Sequence, residues 1–301
     1  MTDKCHVYQV DVFTRTPMEG NAAGVVPQAD SLSSKQMQAI ARELNNSETA
    51  FLLQPVSDDH DVRIRYFTPT MEVPTCGHAT IAAHYVRART LNLAAARYWH
   101  KIGIGRLPVD IERKHSDYRI IMTQGRPLID APLSTSKRKA VLAALNIGAG
   151  DTVPDFPIVK VDTGASKILV GVKSRDLLNN IVPNYERLKS LGASLNCTGF
   201  FVFTVAEPDP DVVSHCRMFA PQIGIFEDPV TGNGNGPLGA YLTHFNLIDK
   251  SGSTVYFRSR QGESMGRPGT AHVWVDLIDD QPKTIRVGGD AVIVFETELT
   301  T

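Results

Sequence analysis

Apolar and polar residues alternate over residues 7–13 among β-forming types, the pattern of a strand. Thr16-Pro17-Met18-Glu19-Gly20-Asn21 reads as a turn and 23–26 as a short second strand. The period then changes. Met37, Ile40, Ala41 and Leu44 stand at i, i+3, i+4 and i+7, which predicts a helix from a Ser33 or Ser34 cap to about Asn45, with these four on its buried face. Residues 47–53 return to a strand, with Glu48 set among apolar neighbours. In 62–67, Val62, Ile64 and Tyr66 alternate with Arg63 and Arg65. A helix with small residues along one face is expected from Gly77 to about Arg89, then strands near 109–111 and 118–122.

Residues 124–137, rich in Pro, Ser and Thr, read as a connector leading into a short helix through Val141, Leu142 and Leu145. From Pro157 the pattern starts again. A strand, a turn and a second strand are followed by a helix near 185–191 and a strand at 199–205. A second small-residue helix begins near Gly232, and strands follow at 255–258 and 272–277. The last strand, 290–295, has no counterpart in the first half and is expected to return to it.

The restart is visible residue by residue. Arg65-Tyr66-Phe67-Thr68-Pro69 returns as Arg217-Met218-Phe219-Ala220-Pro221, and Glu72-x-Pro74-x-x-Gly77-His78 as Glu227-x-Pro229-x-x-Gly232-Asn233. Val10-Asp11 precedes Val161-Asp162 by 151 positions and Gly105-Arg106 precedes Gly266-Arg267 by 161, a drift expected of one duplicated unit with small insertions. Repeat periods of about 20–50 residues indicate solenoids; a period near half the chain indicates two pseudo-symmetric lobes. The expected fold class is therefore α+β, each lobe a curved mixed sheet around a central helix. Lobe 1 is assigned 1–118 plus the C-terminal strand 286–301, and lobe 2 119–285.

Composition narrows the function classes. A chain of 301 residues, 42% hydrophobic and 21% charged, can bury a core without staples. Its net charge of −1 gives no footprint for nucleic acid, and no apolar run approaches the roughly 20 residues of a spanning helix. Four scattered cysteines form no Cys-x-x-Cys pair, so neither a zinc site nor a disulfide framework is indicated. The start lacks the apolar core of a signal peptide, and a cytoplasmic setting is expected.

Candidate chemistry lies where the two copies agree and where they differ. Gly77 and Gly232 open predicted helices, whose exposed N–H groups suit a carboxylate or phosphate. Two such ends facing across a cleft would hold a small anionic metabolite through Cys76, Gly77, Gly232, Asn233 and Gly234. The plainer reading is that glycine only permits a tight turn. Glu48 is matched by the uncharged Thr198, and Asp228 by Val73. Carboxyl groups among apolar neighbours hold their protons more tightly, which suits general acid/base work. The plainer reading of Glu48 is a surface-facing residue on a half-buried strand. His78 stands opposite Asn233 as a hydrogen-bonding group or a packing residue. Cys76, at a helix start that favours a thiolate, is matched by Thr231, so its alternatives are an acid/base thiol and a small buried cysteine. Gly234-Asn235-Gly236-Pro237-Leu238-Gly239 matches the dinucleotide pattern Gly-x-Gly-x-x-Gly, but no strand runs into it and no acidic residue follows about 20 positions on, so the match reads as incidental.

Taken together, Asp11-Val12-Phe13 with Gly20-Asn21-Ala22-Ala23-Gly24-Val25, Ser47-Glu48-Thr49-Ala50-Phe51, Tyr66-Phe67-Thr68-Pro69, Cys76-Gly77-His78-Ala79-Thr80 and Glu227-Asp228-Pro229-Val230-Thr231-Gly232 resemble the phenazine-biosynthesis PhzF-like isomerase family, within the diaminopimelate epimerase-like fold. The similarity is greatest to bacterial members of unassigned substrate. It implies an active site between the lobes, a homodimer, and no cofactor or metal. In that family a Glu matched by Glu48 shuttles a proton between substrate carbons, and the assisting His and Asp fall on His78 and Asp228. A family Ser falls on Asn233, so that hydroxyl is missing. Of the two opposed cysteines of diaminopimelate epimerases, Cys76 matches the first, and Thr231-Gly232-Asn233 lacks the second. The expected activity is a cofactor-independent isomerase acting on a small carboxylate-bearing metabolite. Its alternatives are an epimerase or racemase using Cys76 or Glu48, and a non-catalytic binder of small anions.

Overall fold

The computed structural model describes residues 4–114, 116–205 and 209–300. By their contacts the residues group into two compact units, 1–123 with 288–301, and 124–287. The first contains β1 (Lys4–Val12), β2 (Asn21–Val26), α1 (Ser34–Leu44), β3 (Thr49–Leu53), β4 (Val62–Phe67), β5 (Glu72–Val73), α2 (Gly77–Leu91), β6 (Ala96–Ile102), β7 (Gly105–Lys114) and β8 (Asp117–Thr123). The second contains β9 (Leu128–Ile129), α3 (Thr135–Ala144), β10 (Val159–Asp162), β11 (Lys167–Gly171), α4 (Arg175–Asn179), α5 (Tyr185–Leu195), β12 (Gly199–Thr204), β13 (Ser214–Ala220), β14 (Ile225–Asp228), α6 (Gly232–His244), β15 (Thr254–Gln261) and β16 (Gly269–Ile278). The last strand, β17 (Gln281–Thr300), gives residues to both units. Its C-terminal part pairs antiparallel with β1, from Lys4↔Thr300 to Val12↔Ala291. The first unit keeps β8 whole because that strand pairs along its length with β7.

Strand pairing repeats with the sequence. In the first unit β1–β2 is antiparallel, β2–β3 parallel, β3–β4 and β4–β5 antiparallel, β4–β6 parallel and β6–β7 antiparallel. In the second, β10–β11, β11–β12, β12–β13, β13–β14, β13–β15 and β15–β16 follow the same order of directions. Each parallel step needs a crossover, and each is made through at least one helix.

Local sequence explains the elements. Ser33 caps α1 in a reciprocal capping box with Gln36, and Asn45 ends it in the left-handed conformation at φ 51°. Met37, Ile40 and Ala41 face a core with Val7, Val26, Phe51 and Phe67. Helices α2 and α6 are buried on almost every side. The former packs on β1, β2, β3 and β8, the latter on β10, β11 and β16. Small residues permit this. A Cβ on Gly234 would stand 2.4 Å from the Phe201 ring, and one on Gly239 2.7 Å from Val273. The Gly-x-Gly-x-x-Gly match thus lies inside a helix pressed onto its sheet.

Two expectations change. Strand β3 begins at Thr49, so Ser47 and Glu48 precede it instead of lying within it, because the chain leaves α1 through the left-handed turn at Asn45 and joins the ladder only as the Glu48 carbonyl accepts from Gly24 N–H at 3.3 Å. Strand β6 has no sequence signal, since only His100 and Ile102 of its residues are buried.

The repeated Arg-x-Phe-x-Pro and Glu-x-Pro motifs form one device, built twice. Arg65 Nε and Nη2 donate to the two carboxylate oxygens of Glu72, both at 2.7 Å, and Arg217 clasps Glu227 the same way, both at 2.8 Å. Each guanidinium also lies over a phenyl ring, Phe67 at 5.1 Å and Phe219 at 4.9 Å. The clasps differ in burial. Side-chain exposure is 29% and 45% for Arg65 and Glu72, but 7% and 12% for Arg217 and Glu227. Arg217 Nη1 also donates to the carbonyls of Leu178, Asn179 and Ile181. Removing one member of a buried pair strands the other charge. Arg217→Ala is therefore expected to lose about 3–5 kcal/mol of stability and Arg65→Ala about 1 kcal/mol or less. Melting temperatures of the two variants check this; equal shifts would contradict it.

Candidate active site

In the first unit the loop before β3 and the start of α2 bring Glu48, Cys76 and His78 together. The three offer ligand-type atoms within 4.8 Å of one another. His78 is the second residue of α2, and Cys76 is its N-cap, with an extended backbone at φ −151° and no cap bond from its own side chain. The imidazole lies between the other two groups. Its Nδ1 is 3.5 Å from Cys76 Sγ, while its Nε2 is 3.3 Å from Ser47 Oγ and 3.6 Å from Glu48 Oε2. The Glu48 contact is at ion-pair range and too long for a hydrogen bond. Side-chain exposure is 13% for Glu48 and 7% for His78, so the carboxylate is neither surface-facing nor sealed.

The helix start is anchored from within. Thr80 Oγ1 donates to the Cys76 carbonyl at 2.6 Å, so Tyr66, buried beneath it, donates its hydroxyl to Thr80 Oγ1 at 2.6 Å. That fixes the helix start from which the thiol and the imidazole face Glu48. Among the described residues this is also a group that could hold a metal ion. One imidazole nitrogen faces the thiol, and the other lies beside Ser47 Oγ and the Glu48 carboxylate.

The second unit holds Asp228, Gly232, Asn233 and Gly234. Asp228 ends β14, and its Oδ2 accepts from Thr231 Oγ1 at 2.5 Å. Gln261 closes the turn: its Nε2 donates to the Asp228 carbonyl at 2.8 Å and to Thr231 Oγ1 at 3.1 Å, and its Oε1 accepts from Thr231 N at 3.1 Å. Asn235 Nδ2 donates to the Thr231 carbonyl at 3.0 Å, as Thr80 does to Cys76. Gly234 turns its N–H to the Thr231 carbonyl at 3.1 Å, which leaves the Gly232 and Asn233 N–H groups as the ones an anion could use at this helix start. Gln124 Nε2 donates to the Gly232 carbonyl at 2.9 Å and to Asn233 Oδ1 at 3.3 Å.

Sequence reasoning missed Ser47, Gln124, Gln261 and Lys167. Lys167 carries a readable signal, because it is a single charge at the head of the apolar strand Lys-Ile-Leu-Val-Gly. It is 3% exposed, and Nζ donates to Thr198 Oγ1 at 2.7 Å and to the Ala165 carbonyl at 3.1 Å. Thr198 is the residue matched with Glu48. The pairing registers Gly24↔Thr49 and Lys167↔Gly199 put Lys167 where the first unit has Gly24. Where one copy presents a carboxylate, the other presents a hydroxyl backed by an amine.

Residues 10–297 match the family model PhzC-PhzF, described as phenazine biosynthesis-like protein. The chain belongs to the PhzC-PhzF family. It is 48% identical to "Uncharacterized isomerase CA_C3446" of Clostridium acetobutylicum over 299 residues, 99% of each chain. It is 31% identical to the trans-2,3-dihydro-3-hydroxyanthranilate isomerase of Pseudomonas chlororaphis, over 95% of this chain and 96% of that one. The crystal structure of a Bacillus anthracis PhzF-family protein superposes with a TM-score of 0.89 at 30% identity, covering 99% of this chain and 100% of that one. As a member of this isomerase family the chain is an enzyme of the isomerase class. No helix among the described residues is long and apolar enough to cross a membrane.

Burial lowers Lys167 from an ordinary 10.5 to about 8. Below pH 8 the folded and unfolded chains both carry this charge, and the fold bears the cost of burying it. Between about 8 and 10.5 the folded chain releases its proton first, so stability from this group rises with pH. Lys167→Met is expected to be at least as stable as wild type at pH 7 and to lack the alkaline rise, worth on the order of 3 kcal/mol. Denaturation midpoints measured from pH 7 to 10.5 check the difference between the two proteins.

Proposed function

We propose that the chain moves a proton between carbons of a small carboxylate-bearing metabolite, with Glu48 as the acid/base and side chains alone carrying the proton. Glu48 takes a proton from a C–H made acidic by an adjacent carbonyl or unsaturated system. The electron pair moves into that system, and the proton returns at another carbon of the same molecule. The observation that carries this reading is the row formed by Glu48, His78 and Cys76. Imidazole Nε2 lies beside the carboxylate and can share its charge and its proton. Apo distances of this kind tighten when substrate binds. Asp228, held by Thr231 and Gln261, is the second functional carboxylate, which orients substrate and balances charge. The helix start at Gly77 binds the substrate carboxylate. The homodimer and cytoplasmic setting expected for the family belong to the same proposal.

A second reading rests on Cys76 Sγ, 3.5 Å from His78 Nδ1. Through that contact the thiol, instead of the carboxylate, would carry the proton, as in an epimerase or racemase.

The substrate of the Pseudomonas chlororaphis relative, trans-2,3-dihydro-3-hydroxyanthranilate, serves as the probe. In D₂O the wild-type enzyme is expected to place deuterium on carbon. Glu48→Gln should lower this about 10²- to 10⁴-fold, the range for general acid–base groups, while Cys76→Ser retains most of it. Full exchange by Glu48→Gln would remove Glu48 from the role, and a loss confined to Cys76→Ser would transfer the role to the thiol.

A further inference from the structure

Gln124 opens the connector between the units' sequences and stands outside the proposed proton transfer. Its hydrogen bonds nevertheless fix the chemistry of a neighbour. A backbone carbonyl can only accept, so the group 2.9 Å from the Gly232 carbonyl must be the Gln124 amide nitrogen. Its oxygen is then the atom that accepts from Thr163 Oγ1 at 2.7 Å. The second N–H of Nε2 points to the Asn233 side chain at 3.3 Å, and the atom it meets must be an acceptor, Oδ1. The orientation of Asn233 is thus dictated in sequence from the Gly232 carbonyl, and Nδ2 is the end turned away from Gln124. Asn233 is half-buried between the buried Gly232 and Gly234.

The helix has kept room for this arrangement. A Cβ on Gly236 would lie 1.8 Å from Gln124 Oε1 and 2.6 Å from its Cδ. The central glycine of the Gly-x-Gly-x-x-Gly match is therefore the seat of the Gln124 side chain.

We propose that Gln124 is a specificity-determining positioning residue: it locks Asn233 as a hydrogen-bond donor, so the substrate must present an acceptor oxygen, a carboxylate or carbonyl, to Asn233 Nδ2. The proposal rests on the reading of Asn233 as substrate-binding. A serine here could rotate its hydroxyl to donate or accept; the locked amide can only donate.

The test uses full-length ¹⁵N-labelled protein, with benzoate as the carboxylate probe. The side-chain NH₂ signals of Gln124 and Asn233 are identified by their loss in Gln124→Met and Asn233→Asp. In the ligand-free protein the Gln124 pair is expected to exchange with solvent more slowly than the Asn233 pair. Benzoate should shift the Asn233 pair, and Gln124→Met and Gln124→Glu should weaken benzoate about tenfold by calorimetry, because Asn233 is then no longer held with Nδ2 toward the carboxylate. Slower exchange at Asn233 than at Gln124, no benzoate binding by wild type, or unchanged affinity in Gln124→Met each overturns the proposal. A protein that passes these tests but keeps full deuterium exchange in Glu48→Gln loses the role of Glu48 and not that of Gln124.

Discussion

A guanidinium gripped at two nitrogens by one carboxylate recurs in each unit, and in each it ties down the strand that leads to the buried helix. The clasp ties a long strand, β4 or β13, to the short strand that follows, β5 or β14. The short strand then delivers a Pro-containing turn to the N-cap of the buried helix, Cys76 in one copy and Thr231 in the other. Bidentate geometry fixes direction as well as distance, so the turn has little freedom to wander. A second device completes the hold. Thr80 and Asn235, the fourth residue of each helix, bond back to the carbonyl of the N-cap.

On this shared frame the copies carry unlike groups. Val73 and Cys76 occupy the positions taken by Asp228 and Thr231, so one turn presents a thiol and the other a hydroxyl-bound carboxylate. Glu48 stands where Thr198 stands, and His78 where Asn233 does. The replacement brings its own support each time. His78 has Ser47 beside Nε2, Thr198 has Lys167 beneath its hydroxyl, and Asn233 has Gln124 across its oxygen. A duplicated fold can change the chemistry at equivalent positions while both copies keep the clasp and the bond from the fourth helix residue to the N-cap carbonyl.

The glycines of α6 show how packing can imitate a functional motif. Their spacing matches a dinucleotide fingerprint, but Gly234 meets Phe201, Gly236 seats Gln124 and Gly239 meets Val273. A pattern of small residues reports close approach; what approaches, a phosphate or a side chain, is a tertiary fact.

The sequence by itself determined the duplication, most of the elements and the positions at which the copies diverge. These are local or periodic properties. The i, i+3, i+4, i+7 set of α1 and its Ser33 cap can be read along the chain, and so can an isolated charge among apolar residues. Tertiary structure decided what a linear reading cannot hold. It moved Glu48 off the strand and beside His78, a residue 30 positions away. It converted the repeated Arg and Glu from matching letters into two clasps of different burial. It also assigned Gln124, Lys167 and Gln261 their partners. Hydrogen bonds between residues distant in sequence depend on distance and direction in space, and neither is encoded in spacing along the chain.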